Sequence, residues 1–192
     1  MADIPIPRTW VTNDEPTATM LNTELRNPYR DFFWDPPRCM VNHSTGQSLV
    51  SGTHTLLTWD TEWFDSDGIH STGTNPSRLT CITAGLYEIV LHIEWNSINN
   101  ADAGHRFAMV FLNNNGGVAP VDADEIAWDH QIVLDSDGSG APQTNHISFL
   151  WPLAATNYVE AVAMQTSAVD PLSTVHVAAA RTTFGMFYMG SG

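Results

Sequence analysis

The tetrapeptide Asp-Ser-Asp-Gly occurs twice in this chain, at residues 65–68 and 135–138. Closely spaced carboxylates followed by a turn-forming glycine can bind Ca²⁺, and the candidate ligands are Asp65, Asp67, Asp135 and Asp137. Neither copy continues into a longer acidic loop that ends in glutamate. Because Asp, Ser and Gly also favour hairpin turns for conformational reasons, we expect two turns and neither a metal ion nor another cofactor.

Sequence motifs for catalysis are missing. The chain has no Gly-x-Ser-x-Gly nucleophile, no His-Glu-x-x-His pair and no phosphate-binding glycine loop, and its eight His residues occur singly. A carboxylate pair assembled only by folding has no fixed spacing, so that alternative stays open. We predict a protein that is not an enzyme and has no catalytic residue.

The charge balance argues against two classes of partner. Acidic residues outnumber basic ones 21 to 7, and the formal net charge is -14. Such a chain repels nucleic acid and anionic lipid, so we expect neither nucleic acid nor membrane as a partner. The first residues lack a secretory leader, and no apolar run spans a bilayer, so we expect function without Sec export.

Cysteine and tryptophan positions leave alternatives open. Cys39 and Cys81 are either bridged or, as we expect, two buried free thiols. Trp95 and Trp151 lie at strand spacing typical of core residues. The tryptophans beside acidic, turn-rich sequence either stack on sugar rings or cover one end of a β-sandwich; these are Trp59, Trp63 and Trp128.

Two long segments predict the sheets that position these side chains. From Leu86 to Trp95, apolar and polar residues alternate, as in a strand with one buried face. The segment 107–112 is apolar on both faces, which indicates burial by a second subunit or by a long loop. Turn residues separate ten candidate strands with no helix between them, which favours an antiparallel sandwich. The candidate strands are 39–42, 53–64, 78–82, 87–95, 107–112, 131–134, 146–151, 158–165, 175–180 and 182–188.

Residues 1–37 differ from the rest, and we expect them to form an attachment arm outside a domain of residues 38–192. Prolines interrupt the arm, and only Thr17 to Arg26 can form a helix, which has one short apolar stripe. A helix of this length needs a partner surface. The residues expected to dock on that partner are Trp10, Leu21, Leu25, Phe32, Phe33 and Trp34.

The order of segments resembles the jelly roll of the C1q and tumour-necrosis-factor-like family. The resemblance rests on Gly85-Leu86-Tyr87, the polar loop 96–105, the turn 113–117 and the closing strand that contains Phe184-Gly185. It covers about residues 38 to 189 and implies an all-β antiparallel jelly roll that forms a homotrimer. The expected trimer-interface residues are Tyr87, Phe107, Phe111, Phe184, Phe187 and Tyr188.

The segment from Thr9 or Thr12 to Asn27 also resembles the N-terminal part of small tail and virion-surface proteins of phages that infect actinobacteria. This likeness implies a structural virion protein, assembled in the host cytoplasm and placed on the virion surface. Its partners would be major capsid or tail proteins, and its place would be capsid decoration or a minor tail component. Two alternatives remain: a module that binds a host surface glycan, and a cellular C1q-like or cupin-like enzyme domain.

Overall fold

The computed structural model describes residues 9, 11, 13, 15–26, 29, 35–96, 103–114, 124–133, 143–167, 171–174 and 182–191. These residues form antiparallel β-strands and one short helical segment. The strands are β1 Arg38–Asn42, β2 Ser48–Leu49, β3 Thr55–Leu56, β4 Thr61–Asp65, β5 Arg78–Thr80, β6 Gly85–Trp95, β7 Gly104–Leu112, β8 Glu125–Val133, β9 Gln143–Leu153, β10 Tyr158–Gln165, β11 Leu172–Ser173 and β12 Thr183–Gly190.

Five strands form the first sheet, in the order β4-β1-β12-β6-β9. The longest pairing joins β6 to β9 and runs from Gly85 opposite Leu153 to Trp95 opposite Gln143. Alternate residues of β6 point into the core, so Ile89, Leu91 and Ile93 are fully buried. The alternation in the sequence therefore correctly predicted a strand with one buried face.

The second sheet has the order β3-β10-β7-β8, and β5 also pairs with β10. Its inward residues meet those of the first sheet in one continuous core, which includes Val110, Ala161 and Ala163. The outward residues Met109, Phe111 and Val162 form a separate, smaller apolar cluster. The strand β7 is apolar on both faces because its inward residues belong to the main core and its outward residues belong to the smaller cluster.

The structure divides the expected strand 53–64 into two strands that belong to different sheets. Pairing with β10 ends at Leu56, and pairing with β1 begins at Thr61. Between them, Leu57 and Trp59 are fully buried, so the chain crosses the end of the core here. Trp59 stacks between His43 and Phe184, with ring centroids 5.6 and 5.8 Å apart.

Other strands differ from expectation mainly in their bounds. The strand β8 begins at Glu125, six residues before the expected start. The sequence pattern missed this part of the strand because polar side chains within it interrupt the apolar alternation. The short pair β2 and β11 carries no periodic signal and was not expected. The expected strand 175–180 lies outside the described residues.

The expected helix is present in the arm. An α-helical turn over Ala18–Leu21 continues as a wider π-helical turn over Asn22–Arg26. The Thr17 side chain accepts a hydrogen bond from the backbone N–H of Met20 and so caps the first turn. No residue of this segment is buried, and Leu21 and Leu25 stay exposed in the single chain.

Candidate functional site

The first Asp-Ser-Asp-Gly copy forms a turn that its own backbone satisfies. The Asp65 carboxylate accepts hydrogen bonds from the backbone N–H groups of Asp67, Ile69 and His70, at 3.2, 2.9 and 2.8 Å. The Asp67 carboxylate accepts one from the Thr83 hydroxyl at 3.0 Å. These contacts use three of the four carboxylate oxygens of Asp65 and Asp67, as in a turn that is closed by side-chain to backbone hydrogen bonds. The second copy, with Asp135 and Asp137, lies outside the described residues.

Both cysteines are free, buried thiols. Burial raises the pKa of the Cys39 thiol far above its ordinary value, and the nearby Asp65 and Glu62 carboxylates add to this shift. Burial also raises the pKa of Cys81, whose Sγ lies 3.2 Å from the carbonyl oxygen of Thr83. Both thiols therefore resist forming the thiolate that disulfide exchange requires.

The structure places three of the six expected interface residues inside the single chain. Tyr87 and Phe184 have no exposed surface and lie in the main core. The Tyr87 hydroxyl donates a hydrogen bond to the Thr83 carbonyl at 2.6 Å. Phe111 is 2% exposed in the smaller outer cluster. We correct the expectation for these three, since side chains buried within one chain offer no area to another.

The other three residues lie on different surfaces. Tyr188 packs edge to face on Tyr87, with centroids 5.4 Å apart, at the margin of the core. Phe187 projects from the outer side of the first sheet, whereas Phe107 projects from the outer side of the second. One flat interface cannot include both Phe187 and Phe107, because the core separates them.

A group of apolar residues lies on the outer side of the first sheet. We call it the front face and define it by Met40, Phe64, Leu86, Val90, Leu150 and Phe187. The Phe64 and Phe187 rings lie 6.0 Å apart, and the Phe187 ring lies across Gly185, where a Cβ would come within 2.9 Å of it. Leu150 is 54% exposed. Apart from Phe187, sequence reasoning missed this surface, although these residues occupy alternate strand positions.

The outer side of the second sheet carries an aromatic group that we call the aromatic platform, defined by His105, Phe107, Trp128 and His130. The Phe107 and His130 rings stack 4.3 Å apart and are nearly parallel, at 6°. His105 Nδ1 lies 2.7 Å from His130 Nε2, which is a hydrogen-bond distance. Trp128 is 60% exposed, and its ring centroid lies 6.3 Å from that of His130. Sequence reasoning missed both histidines because each stands alone in the chain.

The tryptophans divide between core and surface. Trp95 is buried and donates a hydrogen bond from Nε1 to Asn145 Oδ1 at 2.7 Å, and Trp151 packs against the core. Trp59 is also fully buried, so it is removed from the candidates for sugar stacking. Trp63 and Trp128 remain, and they lie on different sheets.

Among the arm residues expected to dock on a partner, the structure describes Leu21 and Leu25. Both are exposed on the short helix. Trp10, Phe32, Phe33 and Trp34 lie outside the described residues.

Among the described residues, no group of three or more His, Cys, Asp or Glu side chains is placed to hold a metal ion. None of the helical turns described is long and apolar enough to cross a membrane.

Comparison with solved structures identifies the architecture. Over 80% of its length, the chain matches 98% of murine APRIL, with a TM-score of 0.56 and 8% identity. It also matches the globular domain of zebrafish complement 1qA and the Eiger TNF of S. frugiperda. Each of these two TM-scores is 0.53, with 82% of this chain covered and identities of 10% and 8%. The matches extend over 100% and 96% of those chains. No protein-family model and no curated protein matches the sequence. The expected all-β antiparallel jelly roll of C1q/TNF-like type is confirmed.

Proposed function

We propose that this chain is a homotrimeric structural protein on the outside of a bacteriophage particle, as capsid decoration or a minor tail component. The observation that carries the self-association is the apolar front face on a C1q/TNF-like jelly roll. Leu150 and Phe64 are exposed on this face, and neighbouring apolar groups exposed on a monomer indicate an interaction surface. The phage assignment is supported by the resemblance of the segment between residues 9 and 27 to virion proteins. The protein acts by binding and shape, without catalysis.

The front face suits burial against identical chains. Near its centre, Glu88 is opposite Leu150 and Phe187 and accepts a hydrogen bond from the Ser148 hydroxyl at 2.9 Å. At its margin, Arg38 lies over the Phe64 ring, with its Cζ 5.4 Å from the ring centroid. The Arg38 Nη2 atom lies 3.7 Å from Asp35 Oδ1. Arg38 is paired with a carboxylate, and the Glu88 carboxylate keeps one hydrogen bond from Ser148, which offsets part of the cost of burying its charge.

The arm supplies the attachment to the particle in this proposal. Its helix exposes Leu21 and Leu25, and no side chain of the helix is buried by the rest of the chain. A helix this short gains stability from packing of its apolar side on a partner. The partner that we propose is a major capsid or tail protein, which places the jelly roll on the virion surface.

A binding assay on purified particles tests the arm. We expect a full-length variant with Leu21→Asp and Leu25→Asp to lose binding to particles that lack the protein, at unchanged mass and melting temperature. Val50→Asp is the matched control, because Val50 is equally exposed but belongs to the jelly roll. Particle binding that survives the double substitution would contradict the role of the arm. Copy counting by mass spectrometry then separates decoration, with hundreds of copies, from a tail component, with few.

The second candidate function is recognition of a host surface glycan. The observation that favours it is the exposure of Trp63 and Trp128, whose indole faces can stack on sugar rings. This function is compatible with the trimer and with a place on the virion.

A further inference from the structure

The two histidines of the aromatic platform form one flat unit. Their ring centroids are 5.0 Å apart and their planes differ by 14°, while His105 Nδ1 and His130 Nε2 are 2.7 Å apart. These values place the imidazoles edge to edge, joined by a hydrogen bond in the ring plane. One proton lies between the two nitrogens, so at least one ring is neutral.

The remaining ring nitrogens give the neutral pair a defined hydrogen-bonding pattern. If His105 donates, its Nε2 is an acceptor and His130 Nδ1 carries a proton. If His130 donates, the two roles exchange. Either tautomer therefore presents one donor and one acceptor at the outer edges of the pair. A hydroxyl group both donates and accepts, so a sugar hydroxyl can bond the outer nitrogen of either ring whichever tautomer is present.

Aromatic side chains hold and extend this unit. Phe107 stacks on His130 and lies 6.0 Å from His105, which fixes the plane of the pair. Trp128 follows along β8 at the alternate position on the same side and is 60% exposed. A mostly exposed indole beside fixed polar edges is the combination that carbohydrate recognition requires: an apolar face for the C–H groups and directed partners for the hydroxyls.

The charged residues next to the platform side chains along β7 and β8, Arg106 and Asp129, point away from the platform. Arg106 is 1% exposed and lies over the buried Trp95 ring. The Asp129 carboxylate accepts hydrogen bonds from the Asn145 side chain at 2.7 Å and the His146 backbone at 3.2 Å. No cation on the described part of β7, β8 or β10 faces the platform, and the chain carries a net charge of -14. An anionic ligand is therefore disfavoured and a neutral one is accepted.

We propose that the aromatic platform binds a neutral sugar ring of a glycan, with the ring stacked on Trp128 and one of its hydroxyls bonded to the outer nitrogen of His130, whose ring His105 holds in place. This inference rests on the second function proposed above and names its site. Trp63, on the other sheet, takes no part.

The test uses the full-length protein and a panel of neutral hexose and N-acetylhexosamine oligosaccharides, together with sialylated counterparts, measured by saturation-transfer NMR and titration. We expect binding of at least one neutral oligosaccharide and none of its sialylated counterpart. Trp128→Ala should weaken it at least tenfold, and His130→Phe, which keeps a ring but removes the polar edge, at least fivefold. Trp63→Ala should change it less than twofold, since Trp63 is also an exposed tryptophan but lies on the other sheet.

Each other outcome has a distinct meaning. A neutral oligosaccharide that binds equally well to Trp128→Ala overturns the platform but leaves glycan recognition standing. Failure of every oligosaccharide to bind overturns both the platform and glycan recognition, while the virion role is judged separately by mass and particle binding. A change in assembly mass caused by Trp128→Ala would show that the platform contacts another copy of the chain, and this would also overturn the proposal.

Discussion

Replacement of Leu150 by Glu is the sharpest test of the proposed trimer. Leu150 is 54% exposed in the single chain, so the protomer does not need its apolar side chain for folding. A fully buried Leu contributes about 1.5–3 kcal/mol, so the part still exposed is worth about 1 kcal/mol on burial in an interface. An unpaired charge buried at the same place costs about 3–5 kcal/mol.

Three-fold symmetry repeats this cost in every subunit. At about 4 kcal/mol per chain the trimer loses about 12 kcal/mol, which at 1.4 kcal/mol per factor of ten lowers the association constant by about 10⁸- to 10⁹-fold. Within the protomer, the new carboxylate is opposite Glu88, and such a pair costs only about 0.2–1 kcal/mol. The variant should therefore stay folded and become monomeric.

Light scattering at micromolar concentration measures the result. The wild type should have about three times the chain mass of 21.1 kDa, and Leu150→Glu should have that of one chain. Ile132→Glu is the control, because Ile132 is 60% exposed on the opposite sheet and should leave the trimer intact. A wild type of single-chain mass, or a Leu150→Glu protein of trimer mass, would refute the reasoning.

Three further predictions concern the protomer. Asp65→Ala removes the acceptor of three backbone N–H groups and should lower the free energy of unfolding by about 1–3 kcal/mol. The wild type should have the same melting temperature with Ca²⁺ as with a chelator. A higher melting temperature with Ca²⁺ would contradict the interpretation of this segment as a turn. Cys39 and Cys81 should react with a thiol reagent only after unfolding, and fast labelling of the native protein would contradict their burial. Burial tends to raise the pKa of Asp60, but hydrogen bonds from Ser44 and Thr61 outweigh it and hold the pKa below its ordinary value. Asp60 therefore stabilises the fold above its unfolded pKa of about 4, and this stability is lost as the pH falls through the lower folded pKa. Asp60→Asn should flatten the acid side of a melting-temperature profile, and an unchanged profile would contradict this assignment.

Local patterns were sufficient for the fold class. Strict alternation in β6, the paired apolar faces of β7 and turn residues between short strands predict an antiparallel sandwich, because side chains of a strand alternate between its two sides. The same rule failed at 53–64, which we expected to be one strand. Leu57 and Trp59 are buried apolar residues, but they lie where the chain crosses from one sheet to the other. Periodicity records that a residue is buried and leaves open which sheet buries it.

The sequence by itself determined that the protein is an acidic, all-β chain whose strands carry more apolar residues than one core face requires. Only the tertiary structure decided which of these residues remain exposed: Phe111 and Tyr87 are interior, while Leu150 and Trp128 are not. It also decided that His105 and His130, 25 positions apart, share a hydrogen bond. The physical reason is that exposure and pairing depend on strand register between distant segments, which no local pattern specifies.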